Sequence, residues 1–333
     1  MTERMTISEA VALIAKALTQ SNTSEANAAS VARALVAAEV DGQKGHGFSR
    51  VVSYAAQAKS VKVDGLATPV VEAGGPAFLR IDAKSGFAYP AIDQAIEELA
   101  PLARKMGIAA AAIRNSHHCG QLGAHVERLA EEGLVALMVA NTPKAMAPWG
   151  GDKALFGTNP IAFAAPRDAA PLVIDLSLSK IARGKVMAAK KAGERIPEGW
   201  ALDADGNPTT DPDAALAGMM LPAGDAKGSA LALIVEVLAA TLTGANYSNQ
   251  ATSFFDAEGA SPGVGQFIIA IDPGAGVGAT FADRLEALAV EIDAQDGARL
   301  PGVKRLAARA EAKAKGITAP AHLLAEIKGV TAG

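Results

Sequence analysis

His46 and Arg50 stand four positions apart in Gly45-His46-Gly47-Phe48-Ser49-Arg50. If a helix begins near Gly47, the two side chains lie side by side, about one turn apart. An imidazole exchanges a proton near neutral pH, and a guanidinium grips a carboxylate with two parallel hydrogen bonds. Together they suit a small acid whose adjacent carbonyl gains or loses a proton. On spacing alone, a capping histidine beside a solvated arginine is the better account.

Three further segments carry polar groups at useful places. Arg114-Asn115-Ser116-His117-His118-Cys119-Gly120 falls where a strand gives way to a helix, a common lining of ligand crevices in α/β proteins. A plain polar loop with a capping histidine fits it equally well. The run 141–160, NTPKAMAPWGGDKALFGTNP, mixes restrictive prolines with permissive glycines. It fits either the wall of a flat ligand or a surface loop. Gly224-Asp225-Ala226-Lys227-Gly228 opens an apolar helix, and free amides at a helix start beside a lysine favour phosphate.

Other motifs mislead. Gly274-Ala275-Gly276-Val277-Gly278-Ala279 matches the dinucleotide fingerprint, but the chain beyond Asp293 offers charged helix where a second parallel strand is required. Ser177-Leu178-Ser179-Lys180 matches S-x-x-K without the companion elements of a serine hydrolase. His117, His118, Cys119 and His125 follow no zinc spacing, and adjacent histidines on an extended segment point oppositely, so no metal is expected.

The elements that must position these residues read as mixed α/β. Helices are expected over 7–18, 26–40, 49–59, 91–106 (kinked or broken at Pro101), 122–132 and 281–293, with a basic helical tail around 304–315. The opening block shows no convincing strand. Strands are expected at 68–71, 78–81, 108–113, 134–140, 161–164, 172–174 and 267–271, and a surface hairpin or loop over 197–212. The almost wholly apolar helix 230–242 is expected to be buried. The chain has 333 residues, 50% hydrophobic and 20% charged, with net charge -4 and one cysteine, Cys119. That composition excludes disorder, a disulfide framework and a basic nucleic-acid footprint. No signal pattern opens the chain and no apolar run reaches about 18 residues, so a soluble, cytoplasmic enzyme or binding protein is expected, without nucleic-acid or membrane partners.

Taken in order, GHGFSR (45–50), NSHHCG (115–120), APWGGDKALFGTNPIAFAAP (147–166), DLSLSKIARGK (175–185), IPEGWALDADGNPTTDP (196–212) and GDAKGSALALIVEVLAATLTGA (224–245) resemble the malate/L-lactate dehydrogenase family that is unrelated to the Rossmann-type enzymes. That family includes ureidoglycolate dehydrogenase, diketogulonate reductase, sulfolactate dehydrogenase and the cyclic ketimine carboxylate reductases. The resemblance implies a mixed, largely antiparallel sheet domain beside a helical domain built from both chain ends. The expected boundaries are 1–76 with 300–333 for the helical part and 77–299 for the nucleotide-binding part. A homodimer is implied as well.

It also implies hydride transfer between NAD(P)H and the 2-carbon of a small 2-oxo or 2-hydroxy acid of malate, lactate or sulfolactate type. His46 then matches the proton donor and Arg50 the carboxylate ligand, while His117 and Thr158 line the substrate pocket. Asp175, Leu176 and Ser177 match the segment that meets the nucleotide, and Lys227 with Gly228 its phosphate-side contact. Lys180, Arg183 and Lys185 suit a 2'-phosphate, which favours NADP(H) over NAD(H). The family commonly has serine before the histidine, where Gly45 stands here. Its ketimine reductases carry an aspartate aligned near Lys185. Both departures leave His46 in need of another orienting group and favour the hydroxy acid. The alternatives are an NADPH-dependent reductase of cyclic 2-imino acids (pyrroline or piperideine carboxylate) and a nucleotide-binding protein without catalysis.

Overall fold

Thr6 separates a polar strand, β1 (Thr2–Met5), from α1 (Ile7–Thr19). Its hydroxyl accepts the Glu9 amide while the Glu9 carboxylate accepts the Thr6 amide, a reciprocal cap that satisfies two orphan donors. Ser24 accepts from the Asn27 amide and starts α2 (Glu25–Val40); α3 (Val51–Lys59) follows. The structure, a computed structural model, describes residues 2–331, so position 1 and positions 332–333 of the expected helical part lie outside it.

Next come β2 (Val70–Gly75) and β3 (Phe78–Asp82). β2 begins two residues later than expected and runs through Gly74 and Gly75, with a register slip at Ala73/Gly75. α4 (Ala88–Met106) passes unbroken through Pro101. Pro101 is exposed, so its ring lies on the solvent side of the helix and displaces no core contact. After it come β4 (Ile108–Ser116), α5 (Gly123–Glu131), β5 (Val135–Ala140), β6 (Ile161–Ala165), β7 (Leu172–Leu176) and α6 (Arg183–Ala192). The turn-rich stretch folds back as the hairpin of β8 (Ala201–Leu202) and β9 (Pro208–Thr209), which β10 (Met219–Met220) joins after α7 (Pro212–Ala217). The chain ends through α8 (Ala226–Glu236), β11 (Val264–Ile271), α9 (Phe281–Asp293), α10 (Val303–Lys315), β12 (Ile317–Pro320) and α11 (Ala321–Val330).

Among the described residues, the main sheet has the order β2-β3-β4-β11-β5-β6-β7, and only β3 and β4 pair in parallel. Successive side chains of β11 leave on opposite faces. Ile268 and Ala270 join Leu99, Ile113 and Met138 under α4 and α5, while Phe267 joins Phe156, Val186 and Ala232 beside α8. A separate cluster holds the helical layer, with Ile14, Leu18, Leu35, Tyr54, Leu324 and Ile327 buried together. Both chain ends meet there, since β1 pairs antiparallel with β12, a pairing that the polar sequence of β1 does not announce. Each such buried side chain contributes about 1.5–3 kcal/mol, so packing rather than that short ladder holds the ends. Arg309 on α10 adds hydrogen bonds to Asp41 at 3.0 Å and Glu127 at 2.9 Å.

The fold is therefore the mixed, largely antiparallel α/β class with helical material from both ends. Gly274 to Ala279 forms two short 3-10 turns between β11 and α9, outside any parallel β-α-β unit. One correction concerns α8 and its π-helical extension Val237–Thr241. The segment expected to be buried exposes Leu231, Ile234, Val237 and Leu242.

The pairing registers gather the scattered polar segments. Val264 of β11 lies opposite Ser116 of β4, Gln266 opposite Ala140 of β5, and Ile161 of β6 opposite both Val139 and Leu176. The end of β4, the start of β11, the end of β5, the start of β6 and the end of β7 thus share one end of the sheet.

Candidate active site

His46 ends a 3-10 turn, Lys44–His46, and Arg50 ends a second, Phe48–Arg50. The helix expected over 49–59 starts at Val51, and the Gly47 backbone (φ -110, ψ -126) divides the two turns before it, so no helix begins at Gly47. The cause is tertiary. Buried Glu39 of α2 accepts the Phe48 amide at 2.7 Å and the Lys44 ammonium at 2.7 Å. A Cβ on residue 47 would sit 2.3 Å from the Glu39 Oε1, so only glycine allows the approach.

Arg50 donates its Nε to the Gly45 carbonyl at 2.8 Å, and its guanidinium lies 4.6 Å above the Phe255 ring. That fixes the plane and leaves the terminal nitrogens. Among the described residues, Nη1 is buried without an acceptor. Burial also lowers the Arg50 pKa from its ordinary value, yet an arginine stays charged in a protein.

His117 and His118 follow one another beyond β4, and the expectation that they point oppositely is corrected: both rings meet α3 and both pack on Tyr54 and Phe254, because the chain has left the extended strand at Ser116. His117 Nε2 lies 2.6 Å from Gln57 Oε1, and His118 Nδ1 lies 2.5 Å from the Tyr54 hydroxyl. Gln57 donates its own Nε2 to the Phe254 carbonyl at 2.8 Å, so its Oε1 is an acceptor and His117 carries hydrogen on Nε2. Gln266 of β11 donates to the His117 carbonyl at 3.1 Å, tying the segment to the sheet. Phe254 closes the group, with ring centroids 5.3 Å from His117 and 5.2 Å from His118.

Burial, then the charge of Arg50, pushes the His46 pKa down to about 4 and that of His117 to about 3. The same two causes hold His118 well below the usual imidazole value. All three rings are therefore neutral at pH 7 in the free protein. His46 Nδ1 and His117 Nδ1 are buried without partners, as is Arg50 Nη1. An unmet buried polar group costs about 1–3 kcal/mol. Several gathered around one arginine mark a place shaped for a polar ligand. The cluster pairs a fixed cation with proton-accepting nitrogens inside an aromatic wall, which suits binding an anion and moving one proton.

The remaining expected residues fall along the shared sheet end. Thr158 donates its amide to Thr142 Oγ1 at 3.0 Å, and its carbonyl accepts from the Leu178 amide at 2.8 Å. Preceding Gly157 could not carry a Cβ, which would fall 2.3 Å from the Thr142 carbonyl. Asp175 accepts the Gly123 amide at 2.7 Å and so caps α5. Leu176 is exposed, and Ser177 Oγ lies 3.2 Å from Ser179 Oγ. The strand continues to meet 221–223, through Lys180 to Leu221 at 2.7 Å and Ala223 to Leu178 at 2.8 Å, and thereby reaches the start of α8. There Gly228 is buried, 2.0 Å separating a notional Cβ from the Ala223 carbonyl, and no side chain caps the first turn. Lys227 and Lys185 are exposed, the latter on α6.

Lys185 and Lys227 lie outside the aromatic cluster of His46, His117 and His118. Residue 45 also leaves space, since a Cβ there would meet nothing within 4 Å. Tyr54 and Gln57 went unnoticed in the sequence. Their signal was the spacing Arg50, Tyr54, Gln57, which puts all three on one helical face.

The profile of the malate/L-lactate dehydrogenase family matches residues 5–328. The chain is 54% identical over 312 residues to the (2R)-3-sulfolactate dehydrogenase (NADP(+)) of Chromohalobacter salexigens, covering 93% of each. It is 43% identical over 331 residues to the Delta(1)-pyrroline-2-carboxylate/Delta(1)-piperideine-2-carboxylate reductase of Pseudomonas putida, covering 98% of this chain and 96% of that one. Among solved structures, delta1-piperideine-2-carboxylate reductase from Pseudomonas syringae superposes with a TM-score of 0.93 at 41% identity, over 98% of this chain and 99% of the other.

Proposed function

The chain belongs to the malate/L-lactate dehydrogenase family of oxidoreductases, and on that footing we propose that it transfers a hydride between NAD(P)H and the 2-carbon of a small 2-oxo or 2-hydroxy acid. One observation carries the reading: His46 and the charged, partner-free Nη1 of Arg50 share one aromatic-walled cluster. The dinucleotide fits the residues present, since the uncapped first turn of α8 with buried Gly228 suits a phosphate and Lys227 stands beside it. In the same reading Asp175, Leu176 and Ser177 meet the nucleotide, and Lys180, Arg183 and Lys185 favour the extra phosphate of NADP(H). Bound there, the dinucleotide supplies or takes the hydride.

The protein's own groups do the rest. Arg50, with Nε committed to Gly45, presents its terminal nitrogens to the substrate carboxylate, while His117 and Thr158 line the pocket. His46 gives a proton to the carbonyl oxygen in reduction and takes it back in oxidation. Burial and then the Arg50 charge depress the imidazole, and a carboxylate held on Arg50 offsets the second of these, so binding the acid raises the His46 pKa. Proton donation then becomes available only where substrate is present.

The sulfolactate dehydrogenase relative, at 54% identity, favours a hydroxy acid that carries a second anionic group. The imine reductase relatives favour the second reading, a reductase of cyclic 2-imino acids. Gly45 and Lys185 speak against it, because both relay positions lack their groups. The same proposal includes a homodimer, supported by the exposed apolar face of α8.

NADPH and NADH oxidation measured with 2-oxo acids (sulfopyruvate, oxaloacetate, pyruvate) and with pyrroline- and piperideine-2-carboxylate separates the readings. A 2-oxo acid is expected to exceed either imine in kcat/KM by about tenfold or more; the reverse order establishes the imine reading, and no turnover removes catalysis. The pH profile has a definite sign. Reduction needs the imidazolium, so kcat/KM falls with rising pH from an inflection below 6.5, and the kcat inflection lies higher because the bound acid raises the pKa. Coincident inflections would contradict the role given to Arg50.

A further inference from the structure

The imidazole of His46 lies nearly parallel to that of His118, with centroids 5.2 Å apart and planes 12° from each other. No side chain hydrogen-bonds His46 Nδ1 among the described residues, and residue 45 is glycine. The stacked ring is therefore the contact that sets the plane of His46. His118 is itself firmly held. The Tyr54 hydroxyl lies 2.5 Å from His118 Nδ1 and 3.2 Å from the Tyr89 hydroxyl. Tyr89 comes this close only because residue 120 is glycine, with φ +70 and a notional Cβ 2.7 Å from the Tyr89 oxygen. Phe254 meets the His118 ring as well, at 5.2 Å and 53°.

The groups of this hydrogen-bonded chain are neutral. Burial raises the pKa of both tyrosines, so each keeps its proton. Tyr54 thus links two neutral groups, hydrogen-bonded on one side to the Tyr89 hydroxyl and on the other to His118 Nδ1. Burial of the His118 ring, and then the nearby charge of Arg50, oppose a second proton on it. Within the stacked pair, His118 is thus the ring that stays neutral, which leaves His46 as the ring that can charge.

Resting on the role given to His46 above, we propose that His118, fixed by Tyr54 and Tyr89, is the positioning residue that aims the His46 imidazole. Stacking orients the His46 ring where residue 45 brings no side chain. It holds the ring plane without adding a second titrating group in contact with the reacting proton.

Replacing His118 tests this in two ways. His118→Ala should lower kcat about ten- to a hundredfold, the cost of a small misplacement of a reacting group, with the acid KM and dinucleotide affinity within about threefold of wild type. His118→Phe keeps a flat ring under His46 and should restore kcat to within about threefold. A His118→Ala enzyme with wild-type kcat, or a His118→Phe enzyme as impaired as His118→Ala, overturns the proposal. Imidazole NMR titration supplies a readout that does not depend on turnover, and the chain has only 5 histidines to resolve. The His46 pKa should rise from about 4 in His118→Ala, as water reaches the uncovered face, and stay low in His118→Phe. An unchanged His46 titration in His118→Ala overturns the positioning role even if the acid reaction itself is absent. If that titration shifts as stated while no acid is reduced, the catalytic reading alone has failed.

Discussion

His46→Ala is expected to lower turnover of the acid by about 10²- to 10⁴-fold, the range typical for loss of a placed proton donor or acceptor. The size of the effect follows from what reduction at the 2-carbon requires. As hydride arrives, negative charge builds on the oxygen beside the rings of His46, His118 and Phe254, and a proton placed there answers it. The other nearby imidazoles are poor substitutes. His117 has Nε2 committed to Gln57, and His118 has Nδ1 committed to Tyr54. Dinucleotide affinity should remain within about twofold, since the expected nucleotide contacts at 175–177 and 227–228 lie at the end of β7 and on α8 rather than on the 3-10 turns. Steady-state kinetics beside a fluorescence titration of NADPH checks both halves. Wild-type turnover would remove His46 from the mechanism, and equal loss of dinucleotide binding would recast it as a structural residue.

Arg50→Lys is the second large expectation. The guanidinium here is held in plane by two contacts, the Gly45 carbonyl and the Phe255 face. An ammonium reproduces neither the fork nor the stack. Two charge-assisted hydrogen bonds, each worth about 1.5–3 kcal/mol, are lost or reduced to one. The acid KM should therefore rise about tenfold to a hundredfold. The loss in kcat should be smaller, because positive charge remains near the carboxylate. A KM unchanged from wild type would place the carboxylate elsewhere. In the same variant the kcat inflection should stay above the kcat/KM inflection, because the retained charge still responds to the bound acid.

Much of this site was legible in the sequence as separate pieces. GHGFSR, NSHHCG, GTNP and GDAKG each held residue types with an evident chemical use, and their order pointed to one family. What local pattern could not supply was the meeting place. β11 inserts between β4 and β5, and only that long-range pairing brings Ser116, Ala140 and the start of β6 to a common end. The backbone at Gly47 was illegible for a similar reason, since it answers to Glu39 on another helix rather than to its neighbours. β1 was missed because TERM has no apolar alternation and owes its strand form to β12. The exposed face of α8 was misread because hydropathy reports an apolar surface without saying what covers it. Tyr54 and Gln57 were available from their spacing to Arg50, but a tyrosine and a glutamine on a helix draw notice only once their partners are seen.

The most direct test is a crystal structure of the protein with oxidised dinucleotide and oxalate, a two-carbon dicarboxylate that stands in for the reacting acid. One carboxylate should rest on the terminal nitrogens of Arg50, with an oxygen of the other within hydrogen-bond reach of His46 and the nicotinamide ring facing the same carbon. Oxalate bound away from Arg50, or a nicotinamide lodged where His46 cannot reach the acid, would contradict the account.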